Sequence, residues 1–272
     1  MIKLDISIKD LIHIQKRLTF LVGAGSSKER PSCLTAGNEM KEAIIKFGCE
    51  QKYINDILQL ENLRFEALVE IFQNHFDEEL KIIDYYGNCD KPNLQHYFFA
   101  HMLKNGNYLM TTNFDCLIEL ALIYLGYPKE KIIPVITQGD FKKFSIPSVL
   151  YKRGEIPIYK LHGTPKNIIS KEITRNSLIA TIKSLGKNKR GISIFQIEPF
   201  KHEALKNLLL DRTLVVIGYS GLDDFDIIPS IKNLSIYDKI IWIKHKGNDN
   251  GKEIAYQIEQ NDNFPNNDDY YI

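Results

Sequence analysis

Four apolar runs of strand length, each followed directly by a short polar motif, place the strongest constraint on how this chain folds. The motifs are GAGSS at residues 23–27, TTNFD at 111–115, KLHG at 160–163 and GYSG at 218–221. Alternation of strand and helix signals along the chain is typical of an α/β fold with a mainly parallel sheet flanked by helices. Because ligands bind beyond the carboxyl ends of parallel strands, we predict that the four motifs lie on one rim of the sheet.

The longest helical stretch follows the first strand. Apolar residues recur at helical spacing over residues 38–76, and Asn93 is placed to cap a helix that runs through Leu103. Little strand signal interrupts this region. We therefore predict a helical insertion over about residues 38–104, between the first two strands.

Shorter signals delimit the rest of a domain that we place at residues 1–245. Residues 7–10 have the pattern of a capping box and predict a short helix through about Arg17. Residues 132–135 contain Pro134 and predict an edge strand. Residues 239–243 predict the last strand. Residues 246–272 are rich in Asn and Asp and predict a polar C-terminal tail or the start of a missing region.

Charge and cysteine usage narrow the function classes. The chain has 35 Lys and Arg against 34 Asp and Glu, so its net charge of +1 disfavours direct nucleic-acid binding. It has no apolar run long enough to span a membrane and no secretory signal, so we expect a soluble, cytoplasmic protein. The 4 cysteines form no CxxC pair, so no zinc ribbon is expected.

The motifs carry polar groups that are suited to a site, but each also has a purely structural interpretation. Gly23 and Gly25 permit a phosphate to approach the backbone, or they simply make a tight turn; Lys28 stands where a dehydrogenase fingerprint needs a third glycine. Asn113 and Asp115 either cap a helix or face a ligand.

The last two motifs leave similar alternatives. His162 is either a structural histidine or a general base at a strand end. The last motif either contacts a ribose or phosphate through Ser220 or its adjacent amides, or simply precedes a helix start that the acidic residues after Gly221 stabilise. Glu66 and Glu70 share one helical face that is either solvated or lines a site.

Taken in this order, the four motifs resemble those of the sirtuin superfamily, whose members carry a GAG[IS]S-type loop, a T[QT]NxD motif, an HG motif and a late GxS motif. The resemblance covers about residues 18–228. It is closer to the sirtuin-like domains of bacterial antiphage defence, which have TTNxD, LHG or MHG and GYSxxD or GFSxxD, than to deacetylases. It implies a Rossmann-like sheet and an NAD-binding catalytic domain.

The resemblance also implies a role for each matching residue. Asn113 would orient the nicotinamide ribose and the attacking water, and His162 would be the general base, acting on a ribose hydroxyl or on water. The residues implied to bind the dinucleotide are Gly23, Ala24, Gly25, Ser27, Thr112, Asp115, Gly218, Ser220 and Asp223.

Two features of deacetylases are missing from the sequence. Deacetylases place a four-cysteine zinc module after the catalytic histidine, but no cysteine follows Cys116, so we expect no zinc. The Pro-Asp-Phe-Arg element after the first motif is replaced by KERPS at residues 28–32. Without an acetyl-lysine channel, water becomes the natural acceptor for the ribose.

These observations predict an NAD hydrolase (NADase) that releases nicotinamide and ADP-ribose and depletes NAD in bacterial antiphage defence. The resemblance implies control by homo-oligomerisation, a partner protein or a fused sensor domain, and the chain is either complete or a fragment. The alternatives are an NAD or ADP-ribose sensor without turnover, or an NAD-dependent deacylase or ADP-ribosyltransferase.

Overall fold

A computed structural model describes residues 2–13, 17–60, 63–186, 197–221, 227–234, 236–245 and 253–258 of the chain. Its strands form one eight-stranded, mostly parallel sheet. The strands are β1 (Ile2–Leu4), β2 (Leu18–Val22), β3 (Tyr108–Thr111), β4 (Ile132–Val135), β5 (Ile156–Lys160), β6 (Thr213–Ile217), β7 (Lys239–His245) and β8 (Glu253–Ile258).

The strand order in the sheet is β1-β8-β7-β6-β2-β3-β5-β4. Strands β2 to β7 run parallel, whereas β8 pairs antiparallel with both β7 and β1. From β2 the chain first adds strands on one side, through β3, and later returns to β6 on the other side. The strand order therefore reverses at β2, which is where open α/β sheets bind ligands.

The register brings the ends of four strands to one level. Val22 pairs with both Thr111 and Ile217, and Thr111 pairs with Lys160. The four motifs begin at or directly after these residues. The prediction that they lie on one rim is confirmed.

Helices cover both faces of the sheet. Among the described residues they are α1 (Ile8–His13), α2 (Gly37–Gly48), α3 (Ile54–Leu58), α4 (Phe65–His75), α5 (Asp84–Gly87), α6 (Leu94–Lys104), α7 (Leu117–Tyr124), α8 (Gln138–Lys143), α9 (Pro147–Lys152), α10 (Ile182–Gly186), α11 (His202–Leu209) and α12 (Ile227–Leu234). In this part of the chain, every helix is too short or too polar to cross a membrane.

Alternate strand side chains fill two cores, one on each face. Leu21 packs with residues of α11 and α12, whereas Phe20 and Val22 pack with residues of α6 and α7. A third cluster joins α2 and α4 to Leu117 at the start of α7. Most of the helical insertion is therefore a further layer built on α7, whereas its last helix, α6, packs directly on the sheet.

Several predicted elements occur where expected. Ser7 and Asp10 form the capping box of α1, which spans Ile8–His13, and residues 14–16, over which the predicted helix continues, lie outside the described residues. Strand β4, with Pro134, lies at the edge of the sheet. The predicted helical insertion contains α2 to α6, between β2 and β3.

The prediction was wrong at both ends of the chain. Residues 239–243 belong to β7, but β7 is not the last strand, because β8 forms within the predicted polar tail. The short strand β1 was not predicted and pairs with β8, with Ile2 opposite Gln257. Two antiparallel strands thus extend the sheet beyond its parallel part.

Candidate functional site

A cavity of about 800 Å³ opens at the rim, above the carboxyl ends of β2, β3, β5 and β6. All four motifs contribute to its walls. The predicted site residues that line it are Ala24, Gly25, Ser27, Thr112, Asn113, Asp115, His162, Gly218 and Ser220. Gly23 lies outside the lining, and Asp223 falls outside the described residues.

The first and last motifs interlock beneath the cavity. Gly25 N donates to the Gly218 carbonyl at 2.8 Å, and a Cβ on Gly23 would lie 2.5 Å from both the Gly218 carbonyl oxygen and Tyr219 Cα. Gly218 has a φ of +65°, which glycine adopts without strain. Gly23 therefore supports the floor of the site through close backbone packing.

Asn113 is buried at the centre of the cavity wall. Its side-chain Nδ2 donates to the hydroxyls of Ser26 and Ser27, both at 3.3 Å. Its Oδ1 is buried and has no hydrogen-bond partner among the residues that the structure describes. A buried acceptor without a partner is costly, so this oxygen is suited to a donor group on a ligand.

Asp115 supports both the start of α7 and the cavity wall. Its Oδ1 accepts a hydrogen bond from Leu117 N at 3.1 Å, which satisfies a free amide at the start of α7, although the N-cap residue of that helix is Cys116. Its Oδ2 accepts from the Ser27 hydroxyl at 2.8 Å, which ties the second motif to the first. One buried carboxylate therefore stabilises both the helix start and the cavity wall.

His162 lies just beyond β5 and is half-buried in the lining of the cavity. Backbone and side-chain bonds tie its loop to the TTNFD segment: Leu161 N donates to the Thr111 carbonyl at 2.8 Å, and the Thr164 hydroxyl donates to the Phe114 carbonyl at 2.6 Å. The structure thus brings His162 and Asn113 to the same cavity. Their chemical roles stay predictions.

Two buried lysines donate hydrogen bonds to the backbone of these loops. Lys160 Nζ donates to the Asp115 carbonyl and lies 3.5 Å from Glu119 Oε1. Burial is the largest single effect and lowers the pKa of Lys160, but Glu119 and the other acidic groups nearby together outweigh it, so the net pKa is raised and the ammonium stays protonated. Lys201 Nζ likewise donates to the Leu161 carbonyl at 2.6 Å.

The far end of the cavity lies beside β6 and β7. Tyr219 and Trp242 line it, with ring centroids 6.1 Å apart, and Lys244 and His245 follow along β7. This end combines an apolar surface with donors and the glycine turn of the last motif. Such a mixture is typical of sites that bind small molecules or cofactors.

The helical insertion forms the opposite end of the cavity. Phe65 and Tyr86 line it, and burial raises the pKa of Tyr86 to about 12. Glu66 also lines the cavity, whereas Glu70 does not. Lys28 and Glu39 lie at this end and form an ion pair at 2.6 Å.

Sequence reasoning missed His96, which is fully buried on α6. Its Nδ1 accepts from Asn93 N at 3.0 Å, and its Nε2 lies 3.1 Å from the Ser27 hydroxyl. Burial is the largest cause that lowers the pKa of His96 to about 4. Asn93 caps α6 as predicted, since its side chain accepts from Gln95 N and His96 N, but neither contact of the His96 ring was predicted.

No group of three or more His, Cys, Asp or Glu residues that could hold a metal ion occurs in the described part of the chain. The expectation that no zinc is needed stays a prediction.

A family model described as a SIR2-like domain matches residues 107–234, somewhat less than half of the chain. The matched span contains the TTNFD, KLHG and GYSG motifs, and the GAGSS motif precedes it. The match supports a Sir2-like domain, a class of NAD-utilising enzymes, and hence an NAD-related function. A search of curated proteins finds no match.

Proposed function

We propose that the Sir2-like domain of this chain binds NAD as its substrate and hydrolyses the bond between nicotinamide and ribose. The reaction consumes NAD and water and yields nicotinamide, ADP-ribose and a proton. The observation that carries the proposal is the meeting of Asn113 and His162 in one cavity with the glycine turns of the first and last motifs.

The cavity fits a dinucleotide at both ends. Gly25 and Gly218 line the cavity, where their backbone would meet the phosphates, and their Cα positions pack against each other. The end beside Tyr219 and Trp242 would take the adenosine half, and Asn113 would face the nicotinamide ribose. Because the turns interlock at the strand ends, the phosphate-binding backbone is rigid.

The residues present are sufficient for the chemistry. Nicotinamide leaves NAD as a neutral molecule from a cationic ring, so its departure needs no general acid. The site must instead stabilise an oxocarbenium-like ribose and position a nucleophile. Asn113 Oδ1 supplies an oriented acceptor for a ribose hydroxyl or for water, and the His162 imidazole supplies a general base.

The sequence favours water over a protein acceptor. The chain lacks the four-cysteine module that follows the catalytic histidine in deacetylases, since its last cysteine is Cys116. A cytoplasmic effector that depletes NAD in bacterial antiphage defence fits this chemistry. Control by self-assembly, by a partner protein or by a fused sensor domain belongs to the same proposal.

Product analysis tests the reaction. Purified protein incubated with NAD is expected to form nicotinamide and ADP-ribose in equal amounts, and Asn113→Ala is expected to lose this activity while keeping the wild-type fold. The exposed Asn105, at the end of α6 and outside the cavity lining, offers the control Asn105→Ala.

Other outcomes would contradict the proposal in different ways. Tight NAD binding without nicotinamide release at any protein concentration would indicate a sensor. Formation of O-acyl-ADP-ribose, or of an ADP-ribosylated macromolecule, would indicate a deacylase or a transferase.

A further inference from the structure

The Ser27 hydroxyl has all its hydrogen-bonding capacity in use. A serine hydroxyl has one donor and two acceptor positions. Ser27 Oγ donates to Asp115 Oδ2 at 2.8 Å, and it accepts from Asn113 Nδ2 at 3.3 Å. The third neighbour is His96 Nε2 at 3.1 Å, so the remaining acceptor position requires a proton on that nitrogen.

The other ring nitrogen of His96 settles where this proton resides. Asn93 N can only donate, and it points at His96 Nδ1 at 3.0 Å, so Nδ1 carries no proton. The ring is fully buried and neutral at physiological pH, consistent with its lowered pKa. A neutral ring with an unprotonated Nδ1 must carry its proton on Nε2, which therefore donates to Ser27.

These contacts determine the orientation of the Asn113 amide. The Ser26 hydroxyl donates to the Gly23 carbonyl at 2.8 Å, so both serine protons are already committed. Both hydroxyls then need donors from Asn113, and only its Nδ2 can supply them. A flipped amide would place Oδ1 against two acceptors, so Oδ1 is the atom left for a ligand.

We propose that His96 is a positioning residue that acts through the Ser27 hydroxyl to hold the Asn113 amide with Oδ1 available to the substrate. The inference rests on the proposed function, because Asn113 is expected to orient the ribose and water. The Nε2 proton fixes one of the three directions of the Ser27 hydroxyl, so without it the hydroxyl can rotate and its acceptor turns away from Asn113 Nδ2. Asn113 Oδ1 is then held less precisely toward the substrate, while the amide keeps its contact with Ser26.

Two substitutions separate positioning from structural support. His96→Asn keeps a short acceptor for Asn93 N but does not reach Ser27, whereas His96→Gln places an amide donor near the former Nε2. We expect His96→Asn to lower kcat about 100-fold with NAD affinity much less changed. His96→Gln should restore most of the rate, and the exposed His101→Asn on the same helix should match wild type.

The double variant tests whether His96 acts through Ser27. In a Ser27→Ala background, His96→Asn should cause no further loss of kcat. Additive losses would overturn the inference, as would equal kcat in His96→Asn and wild type. Equal defects in His96→Asn and His96→Gln, with matching losses of thermal stability, would assign His96 a purely structural role and would also overturn it.

A measurement without turnover keeps this inference separate from the proposed function. In NMR spectra of protein labelled with ¹⁵N-histidine, the signals of His96 are identified as those that disappear in His96→Asn. In wild type at pH 7 these signals should show a proton on Nε2 and none on Nδ1. A proton on Nδ1 or a charged ring would overturn the inference. Failure of wild-type protein to release nicotinamide would overturn the proposed function alone.

Discussion

The interlocked turns under the cavity make a quantitative prediction for Gly218→Ala. A Cβ on Gly218 would lie 2.4 Å from Ser26 N and 3.0 Å from Gly23 O, and both atoms belong to backbone that cannot rotate away. The residue also has a φ of +65°. The substitution therefore introduces left-handed strain of about 1–2 kcal/mol and overpacking of about 1–3 kcal/mol.

Gly126 provides a matched control. Its φ is +76°, and a Cβ there would meet no atom within 4 Å. Gly126→Ala should therefore lower the free energy of unfolding by the strain alone, about 1–2 kcal/mol. The entropy that alanine removes from the unfolded chain is the same in both variants and cancels in the comparison.

Urea unfolding at pH 7.5 measures the difference. We expect Gly218→Ala to be less stable than Gly126→Ala by about 1–3 kcal/mol with an unchanged m value. Equal losses in the two variants would show that the first and last motifs do not pack in close backbone contact. The rigid phosphate-binding floor assigned to these turns would then be wrong.

Two other perturbations follow from buried groups. The pKa of His96 is lowered to about 4 from 6.5 in the unfolded chain, so the folded state binds fewer protons between these pH values. The stability that the neutral ring contributes is complete above pH 6.5 and should fall by about 3 kcal/mol toward pH 4. Urea unfolding of His96→Asn over the same pH range should lack this pH-dependent loss of stability. An identical pH profile in wild type and His96→Asn would contradict the prediction. Lys160→Met should cost about 3–5 kcal/mol because it leaves Glu119 buried without its partner. In urea unfolding, Lys160→Met combined with Glu119→Leu should lose less than Lys160→Met alone, and an equal or greater loss would contradict the pairing.

Short sequence patterns predicted those elements whose formation depends mainly on neighbouring residues. Apolar runs that end in polar motifs marked β2, β3, β5 and β6, and parallel register then brought their ends to one rim. Pro134 lacks a backbone donor, and it correctly marked the edge strand β4.

The elements and contacts that the sequence did not predict depend on partners that are distant in the chain. Strands β1 and β8 pair across almost the whole chain. β1 has only 3 residues, and β8 contains three consecutive apolar residues, so neither shows the longer alternation that indicates a strand. A lysine is usually exposed, but Lys160 and Lys201 are buried, and backbone carbonyls of other segments accept hydrogen bonds from their ammonium groups. Only the fold brings these groups together.

Distance along the chain also decides which contacts of the candidate site the sequence predicted. Asn113, Asp115 and His162 were predicted from motifs at strand ends, and they line one cavity. The link between His96 and Ser27 spans 69 positions and leaves no periodic pattern in the sequence. The predicted cap at Asn93 gave no indication of either contact of the His96 ring.

Nicotinamide release from NAD tests the central claim most directly. It should be measured for wild-type protein over a wide range of protein concentration, beside His162→Ala and the exposed control His101→Ala. We predict turnover by wild type and by His101→Ala, and none by His162→Ala with an unchanged thermal unfolding midpoint. Undiminished turnover in His162→Ala would contradict the assignment of the base, and no wild-type turnover at any concentration would contradict the hydrolase.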